Sequence, residues 1–576
     1  MPAVNAIRPE RPQIHKWVVL SNTTLGMLAA AINGSILLIS LPAVFRGIGL
    51  KALDPGNINY LLWAIIGYMI ATAVLVVAFG RLGDQFGRAR MYNQGFAIFT
   101  AASIALSLLP GQGDFAAMYL ISVRIVQGIG GALIMANSTA LLTDAFPPEQ
   151  RGFALGINVV AAIGGQFIGL LIGGLLADSN WRLVFWINVP FGLVGTIWAY
   201  LKLHDAPNRR SHKIDWLGNI TFGLGLVLIL TAITYGLQPY GDQTMAWFSP
   251  RVLSFFAIGL LSLIAFLAIE TRVERPMLDL KLFRIQGFAW GNIANLCSGI
   301  ARGGLQFMLI VWLQGIWLPL HGYSFEETPL WSAIFMLPLT IGFLLAGPIS
   351  GYYSDRIGGI PFAVGGMITG AVSFVALMEL PADFSYTIFA ALLFLNGLGS
   401  GLFVAPNSTQ IMNSVPARER GQASGMRATT TNAGQVLSIG LFFSLMLAGL
   451  AVSLPQAMES GLLAQHVPDA VAHQIATMPP VASLFAAFLG YNPMGELIPA
   501  GVLHALPAAN IATLTGHEFF PGLMSGPFKH GLIFAFTFSA VLYLIAAFAS
   551  WRGGTQSVEP ELPHLAEAEV VAGSRP

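Results

Sequence analysis

Charged residues are scarce in this chain. Asp, Glu, Lys and Arg make up 10% of its 576 residues, whereas they make up about 25% of an average soluble protein. With hydrophobic types at 55% and a formal net charge of +1, the composition excludes a soluble multidomain enzyme, a disordered chain and a nucleic-acid-binding protein with a basic face. Cys297 is the only cysteine, which excludes an intrachain disulfide and a cysteine-ligated metal site.

Long charge-free stretches fill most of the sequence. A helix that crosses a membrane needs about 20 mostly apolar residues to cover about 30 Å. Fourteen charge-free, mostly apolar gaps are long enough to be read as spans, at positions 17–45, 55–80, 91–113, 125–143, 152–177, 183–201, 216–241, 252–269, 303–325, 328–354, 357–378, 384–417, 428–458 and 530–551. The ninth span begins earlier than its gap, near Gln286, with Arg302 inside it. We therefore predict an all-α integral membrane protein with 14 transmembrane helices in the lipid bilayer.

Prolines set one long segment apart from these spans. Two further charge-free gaps, 470–495 and 497–517, contain Pro479, Pro480, Pro493, Pro499 and Pro507. Because proline breaks helices, the longest uninterrupted piece would be about 18 Å long, too short to cross. We predict an external loop at 453–528, and we expect residues 481–491 to lie on the outer leaflet as an amphipathic segment.

The basic residues sort by side of the membrane. Of the 28 Lys and Arg residues, 20 fall on one side of the predicted topology and 5 on the other. Since cytosolic loops carry the excess of positive charge, we predict that the N-terminus (1–16) and a disordered tail (551–576) both lie in the cytosol, and that the protein resides in the cytoplasmic membrane. The remaining three, Arg124, Arg302 and Arg427, lie inside predicted spans.

The first part of the chain recurs in the second part at a nearly constant offset. The glycine and aspartate pattern at 80–87 returns at 351–358, and the run Asn-Ser-Thr at 137–139 returns at 407–409. A repeat on this scale indicates two similar halves, arranged in parallel about an axis along the membrane normal. The organisation that we predict is a pair of six-helix halves joined by two linker helices, with the halves at 17–203 and 285–550 and the linker helices within 204–284.

A glycine-rich charged loop follows the second span of each half. The residues that we select as a conformational gating loop are Gly80, Asp84, Gly87 and Arg88 in the first copy and Gly351, Asp355, Arg356 and Gly358 in the second. Glycine permits a tight turn between two helices, and Asp84 and Arg88 are spaced to pair. These two copies resemble the signature loop of the major facilitator superfamily.

Arg124, Gln127 and Gly128 lie in the fourth span and resemble that superfamily's fourth-helix motif. A charge at this depth costs about 2.5–3.5 kcal/mol, so the guanidinium must face a cavity or a partner. The resemblance implies a role for this arginine in proton coupling. A structural arginine that bonds to backbone carbonyls is the alternative.

Glycines recur every four residues in the fifth span, at Gly165, Gly169 and Gly173, with Gly174 adjacent. Such spacing lines one helix face and lets two backbones approach closely. The pattern resembles the antiporter motif of drug exporters, although Leu170 stands where that motif has a proline.

Two further stretches, 181–192 and 270–284, resemble the 14-helix drug:proton antiporter family within the superfamily. The resemblance implies a monomeric secondary transporter for small molecules, with no cofactor. It also implies a coupling aspartate in the first helix, where this chain has Asn33. Asparagine binds by hydrogen bonds but takes up no proton.

The predicted membrane interior thus holds three arginines and no deep acid. The cavity residues that we select are Arg124, Gln127, Asn33, Arg302 and Arg427. The leading interpretation is proton-driven export of amphipathic compounds by alternating access. The alternative is a lipid or organic-anion transporter with atypical or no proton coupling, because a neutral to positive cavity disfavours lipophilic cations. The lack of a nucleotide-binding loop, a metal cluster or a nucleophile–base set disfavours a third class, a membrane receptor or enzyme.

Overall fold

The computed structural model describes residues 16–50, 57–203, 215–236, 240, 245–273, 276, 278–416 and 419–554. The N-terminus before Lys16 and the tail after Gly554 lie outside this range, so the predictions made for them are not addressed by the structure. The same applies to the side chain of Asp355. Every regular element over the described membrane-spanning segments is helical, as expected where lipid offers no partner to backbone N–H and C=O groups.

The first seven helices form an N-terminal group. They are α1 (Lys16–Gly47), α2 (Asn57–Phe86), α3 (Arg88–Ser107), α4 (Gly113–Ala145), α5 (Pro148–Ser179), α6 (Leu183–Trp186) and α7 (Asn188–Lys202). Helices α6 and α7 together make one span. In this group α1 packs most extensively against α5, and α4 packs against both α2 and α3.

Two helices follow the N-terminal group, α8 (Trp216–Gly236) and α9 (Pro250–Glu270). They pack against each other, and α8 also contacts α2 of the N-terminal group and a later helix, α16 (Arg420–Ala464). The linker helices therefore lie beside the seam between the two helix groups. A short 3₁₀ segment, Leu280–Arg284, leads into the next group.

The remaining long helices form a C-terminal group. They are α10 (Gln286–Trp312), continued by a π-helical turn (Leu313–Trp317) and α11 (Leu318–Leu320), α12 (Thr328–Phe335), α13 (Leu337–Ile357), α14 (Ile360–Glu379), α15 (Tyr386–Asn413), α16 and α22 (Phe519–Gly554). Helices α12 and α13 make one span, and α10 begins at Gln286 as predicted. Packing follows the sequence repeat: α10 contacts α16 as α1 contacts α5, and α13 contacts α15 as α2 contacts α4.

The count of spans agrees with the predicted architecture. Within the described residues, 13 helices are long and apolar enough to cross a membrane. Helix α3, at 20 residues, is long enough to cross as well. It is not among these 13 because the first half of the helix is polar, with Arg88, Arg90, Asn93 and Gln94. The predicted third span corresponds to this helix.

The segment between α16 and α22 is shorter and more ordered than the predicted loop. Helix α16 continues to Ala464 and α22 begins at Phe519, so both ends of the predicted external loop 453–528 are helical. Five short helices occupy the interval: α17 (Asp469–Ala476), α18 (Pro480–Phe488), α19 (Met494–Leu497), α20 (Ala500–Leu503) and α21 (Ala508–Thr515). Each of them directly follows a proline, a residue that is tolerated at the start of a helix but not in its interior.

The expectation for residues 481–491 is wrong. All residues of α18 except Ala482 are buried, and the helix bends by 82° from α17. The Phe485 ring meets Phe45 of α1 and the Phe488 ring meets Phe307 of α10, both with centroids 6.0 Å apart. This apolar helix buries its surface against both helix groups, which removes more apolar area from water than one face in lipid headgroups would.

We call the end of the bundle that carries Arg81, Arg88, Lys202 and Arg356 the basic end. The opposite end, which carries α17–α21, is the far end.

Gly169→Ala tests the packing of α1 on α5. A Cβ atom at residue 169 would lie 2.6 Å from the Ile32 carbonyl oxygen, so the two helices must separate. We expect the free energy of unfolding to fall by about 1–3 kcal/mol, measured by chemical unfolding in detergent micelles. Gly156→Ala is the matched control in the same helix, because its Cβ meets no atom within 4 Å. It gains helix propensity and should stabilise by about 0.5–1 kcal/mol; equal effects of the two variants would contradict this account of the packing.

Candidate functional site

Arg124 lies at the centre of a buried polar network in the N-terminal group. Its side chain is 1% exposed. The Nη1 atom donates to Gln127 Oε1 at 2.9 Å and to Asn33 Oδ1 at 3.1 Å. The Nε atom lies 3.4 Å from the Ala64 carbonyl oxygen. The guanidinium thus has both side-chain and backbone partners, and its role in proton coupling stays a prediction.

Neighbouring helices complete the network. Gln127 Nε2 donates to Ser103 Oγ at 2.9 Å, and Asn188 Nδ2 donates to Asn33 Oδ1 at 3.2 Å. The Tyr68 ring lies under the guanidinium, with its centroid 4.6 Å from Cζ. Within the described part of the chain Arg124 makes no ion pair, so its charge is stabilised by amide dipoles and an aromatic face alone. Helices α1, α2, α3, α4 and α7 each supply at least one of these groups.

The predicted pair in the gating loop forms at the basic end. Arg88 Nε donates to Asp84 Oδ1 at 2.8 Å, and Arg88 Nη1 also donates to Asp144 Oδ1 at 2.7 Å. Asp144 lies at the end of α4, so the pair fastens the α2–α3 turn to a third helix. Sequence spacing alone did not identify Asp144, which is far from Arg88 along the chain.

The turn itself requires glycine in both copies. Gly87 has φ of 110° and Gly358 has φ of 90°, a region that side chains with a Cβ rarely adopt. The two copies differ in their charges. Gly359 follows Gly358 where Arg88 follows Gly87, and the exposed Arg356 lies over the Tyr352 ring at 4.3 Å.

The glycine motif of α5 has two functions in packing. Gly165, Gly169 and Gly173 face α1, where a Cβ would lie 2.8, 2.6 and 2.7 Å from the carbonyl oxygens of Leu28, Ile32 and Ile36. Gly174 points elsewhere: its Cβ would lie 2.7 Å from Leu330 Cα in the C-terminal group. The motif therefore stiffens one group and brings it against the other at the far end.

Further contacts join the two groups at the far end. Gln314, in the π-helical turn, donates through Nε2 to the Ile39 carbonyl oxygen at 3.2 Å. Arg46 Nη1 and Glu326 Oε1 lie 3.7 Å apart. Together with α18, these contacts close the far end.

A cavity of about 50 Å³ lies between the two groups. Helix α5 supplies Gln166, α10 supplies Arg302 and Gln306, α13 supplies Thr340, and α15 supplies Ser400. Gln166 Nε2 donates to Gln306 Oε1 at 3.0 Å, which links the groups directly. Sequence reasoning selected Arg302 but missed Thr340 and Ser400, because single hydroxyls in apolar spans carry no pattern.

The three arginines occupy separate environments. Arg124 lies in its amide network, Arg302 lines the cavity, and Arg427 Nη1 donates to Ser408 Oγ at 3.2 Å. The structure therefore does not assemble them into one site. No group of three His, Cys, Asp or Glu residues able to hold a metal ion occurs among the described residues.

These features define a class of protein: a membrane transporter in which two helix groups enclose a cavity lined by both polar and apolar side chains. A family model described as Major Facilitator Superfamily matches residues 23–439. The chain belongs to the major facilitator superfamily; it is a multi-pass membrane transport protein and not an enzyme.

Relatives and solved structures agree with this assignment. The chain is 28% identical over 500 residues to the multidrug transporter protein MdtP of Bacillus subtilis, covering 86% of this chain and 85% of that protein. It is 28% identical to the tetracenomycin C resistance and export protein of Streptomyces glaucescens, covering 95% and 92%. It is also 27% identical to the riboflavin transporter RibZ of Clostridioides difficile, covering 74% and 88%. A bacterial homologue of the human lysosomal transporter Spinster has the same fold, with a TM-score of 0.54 at 15% identity, covering 95% of this chain and all of that one.

Replacing both partners of the Arg124–Asn33 bond tests the amide network. Asn33→Leu leaves a buried guanidinium N–H without its acceptor, and we expect the free energy of unfolding to fall by about 1–3 kcal/mol. Arg124→Met removes the charge and keeps most of the side-chain volume. In the double variant the guanidinium donor is gone and only Asn188 Nδ2 is left without its acceptor, so part of the loss from Asn33→Leu should be recovered. Chemical unfolding in micelles measures all three variants, and strictly additive losses would show that the two side chains act independently.

Proposed function

We propose that the protein is a secondary active exporter of amphipathic small molecules that works by alternating access. The observation that carries this proposal is the cavity, with polar groups in mostly apolar walls, between two helix groups that touch at the far end through Gly174, Gln314 and α18. Two relatives named as a multidrug transporter and as an export protein support the direction and the substrate type. The partners in this proposal are a small-molecule or lipid-like substrate, protons and the bilayer, with the protein acting as a monomer.

The proposal includes an orientation and a domain organisation. The protein lies in the cytoplasmic membrane. The basic end faces the cytosol and the far end faces outward, since cytosolic loops carry the positive charge. Two six-helix halves, 17–203 and 285–550, rock against each other. The two helices within 204–284 flank the seam.

Arg124 is the proposed coupling residue. The network around it bears directly on proton coupling, because its partner in the first helix is Asn33. A coupling group in the first helix normally titrates, but Asn33 cannot take up a proton. This observation favours the second candidate function, a lipid or organic-anion transporter with atypical or no proton coupling. One relative is named as a riboflavin transporter, which supports a substrate other than a cationic drug for this protein.

Proton movement in proteoliposomes distinguishes the two candidates. Two dyes with the same rhodamine ring serve as substrates, the cation rhodamine 6G and the net anion sulforhodamine B. If export is by proton exchange, a gradient of a transported dye should change internal pH in vesicles with wild-type protein. In vesicles with Arg124→Ala the change should be abolished. Dye transport without any pH change would reject antiport and leave the second candidate.

The charged loop is proposed to bias the conformational equilibrium. The side chains of Arg88 and Asp144 are 30% and 44% exposed, so their ion pair contributes only about 0–1 kcal/mol to folding. The same energy acting on two transport conformations changes their ratio by up to about fivefold.

We therefore expect Asp144→Asn to leave unfolding in detergent nearly unchanged and to slow dye transport in proteoliposomes by up to about fivefold. Asp469→Asn, an exposed acid on α17 at the far end, is the matched control and should transport at the wild-type rate. Transport by Asp144→Asn at the wild-type rate would argue against a gating function for the loop.

A further inference from the structure

Arg302 is a cation in the membrane interior that faces a cavity. Within the described part of the chain it forms no ion pair. Its nearest ring is that of Phe343, with Cζ 5.8 Å from the centroid, and the Tyr543 hydroxyl is an electrostatic neighbour. Neither residue carries a negative charge at neutral pH. Because an uncompensated guanidinium at this depth is costly, the site favours a ligand that brings a negative charge.

Hydrogen-bond donors surround the same space. Thr340 is 4% exposed, and its Oγ1 atom has no hydrogen-bond partner among the described residues. Ser400 Oγ lies 3.0 Å from the Tyr543 hydroxyl, so a second hydroxyl on the cavity wall is already oriented by a partner. A buried polar group without a partner is rare in native structures. Thr340 therefore points to a ligand atom that accepts its hydrogen bond.

The size of the cavity limits what enters it. A volume of about 50 Å³ compares with about 10–15 Å³ for one water molecule on the same measure. It accommodates a carboxylate or sulfonate group but not a whole drug-sized molecule. The walls next to the donors are apolar, with Phe167, Leu170 and Met336, and suit the adjoining part of an amphipathic ligand.

We propose that this cavity binds the anionic headgroup of an amphipathic substrate, with Arg302 as its charge partner and Thr340 as a hydrogen-bond donor. This inference rests on the proposed transport function and names the chemical class of the substrate. Since Gln166 of the N-terminal group is bonded to Gln306 beside Arg302, a bound anion lies where the two groups meet. Binding and release of the anion are then coupled to the Gln166–Gln306 contact, which must change when the two groups move during alternating access.

Binding to purified protein tests the site directly. In detergent, wild-type protein should bind sulforhodamine B more tightly than rhodamine 6G. Arg302→Gln should weaken sulforhodamine B binding by about tenfold or more, because a guanidinium–anion bond is charge-assisted. Arg302→Lys retains the charge and should recover part of the affinity. Arg284→Gln, which removes an exposed arginine outside the cavity, is the matched control and should bind both dyes like wild type.

A second variant covers the case in which Arg302→Gln folds poorly. Thr340→Val removes only a hydroxyl, and we expect about threefold to tenfold weaker sulforhodamine B binding, as for one lost hydrogen bond. Titration with phosphatidylglycerol in mixed micelles separates the two sources of such a headgroup. Competition with sulforhodamine B assigns a lipid headgroup to the site, and lack of competition assigns a soluble organic anion.

The outcomes separate the site from the transport function. Wild-type protein that binds no sulforhodamine B, or Arg302→Gln that binds it like wild type, overturns the proposed site. If wild type binds sulforhodamine B in an Arg302-dependent way but moves neither dye in proteoliposomes, the site stands and the proposed export function fails. If both dyes move while Arg302→Gln binds normally, the export function stands without this site.

Discussion

The stabilisation of positive charge without acidic partners is the constraint on which the interior of this transporter depends. Each arginine placed in a span costs about 2.5–3.5 kcal/mol. At Arg124 that cost is offset by four hydrogen-bond acceptors and the face of Tyr68. Since these groups come from several helices, the helices must stay in register for the charge to be tolerated. The network therefore fixes the N-terminal group as one body.

Glycines in α5 pack the N-terminal group into one rigid body and also make a smaller contact with the C-terminal group. Gly165, Gly169 and Gly173 bring α5 against α1 over three turns, a face too long to separate during a transport cycle. Gly174 contributes a single close approach to Leu330 in the C-terminal group. One contact of this kind costs far less to break than the α1–α5 face. The glycine motif thus places the strong packing inside a group and the weak packing between the groups.

The sequence predicts the membrane-spanning helices well because lipid imposes a simple rule on composition. The start of α10 at Gln286 and the Asp84–Arg88 pair follow from charge spacing, and both are present. The placement of residues 481–491 does not follow, because a short apolar helix has the same pattern whether it lies in lipid or against Phe45 and Phe307.

The candidate site shows the same limit. Asp144 pairs with Arg88 only through the packing of α3 on α4, and Thr340 and Ser400 reach the cavity only through the arrangement of α13 and α15. Isolated hydroxyls and a distant acid leave no local pattern. Arg124 and Arg302 could be selected because a charge within a span is rare, yet their separation into an amide network and a cavity wall depends on tertiary structure.

Asn33 connects these points to mechanism. An aspartate in its place would lie about one hydrogen bond from Arg124 and would neutralise the charge whenever it is ionised. With asparagine, Arg124 keeps its charge throughout the cycle, and its surroundings cannot alternate between protonated and ionised states. A second fixed cation, Arg302, faces the central cavity from the opposite group. Arg124 is held apart from that cavity in its amide network, so Arg302 is the fixed cation that a substrate in the cavity would meet. Such a site selects its substrate by charge and not only by apolar surface.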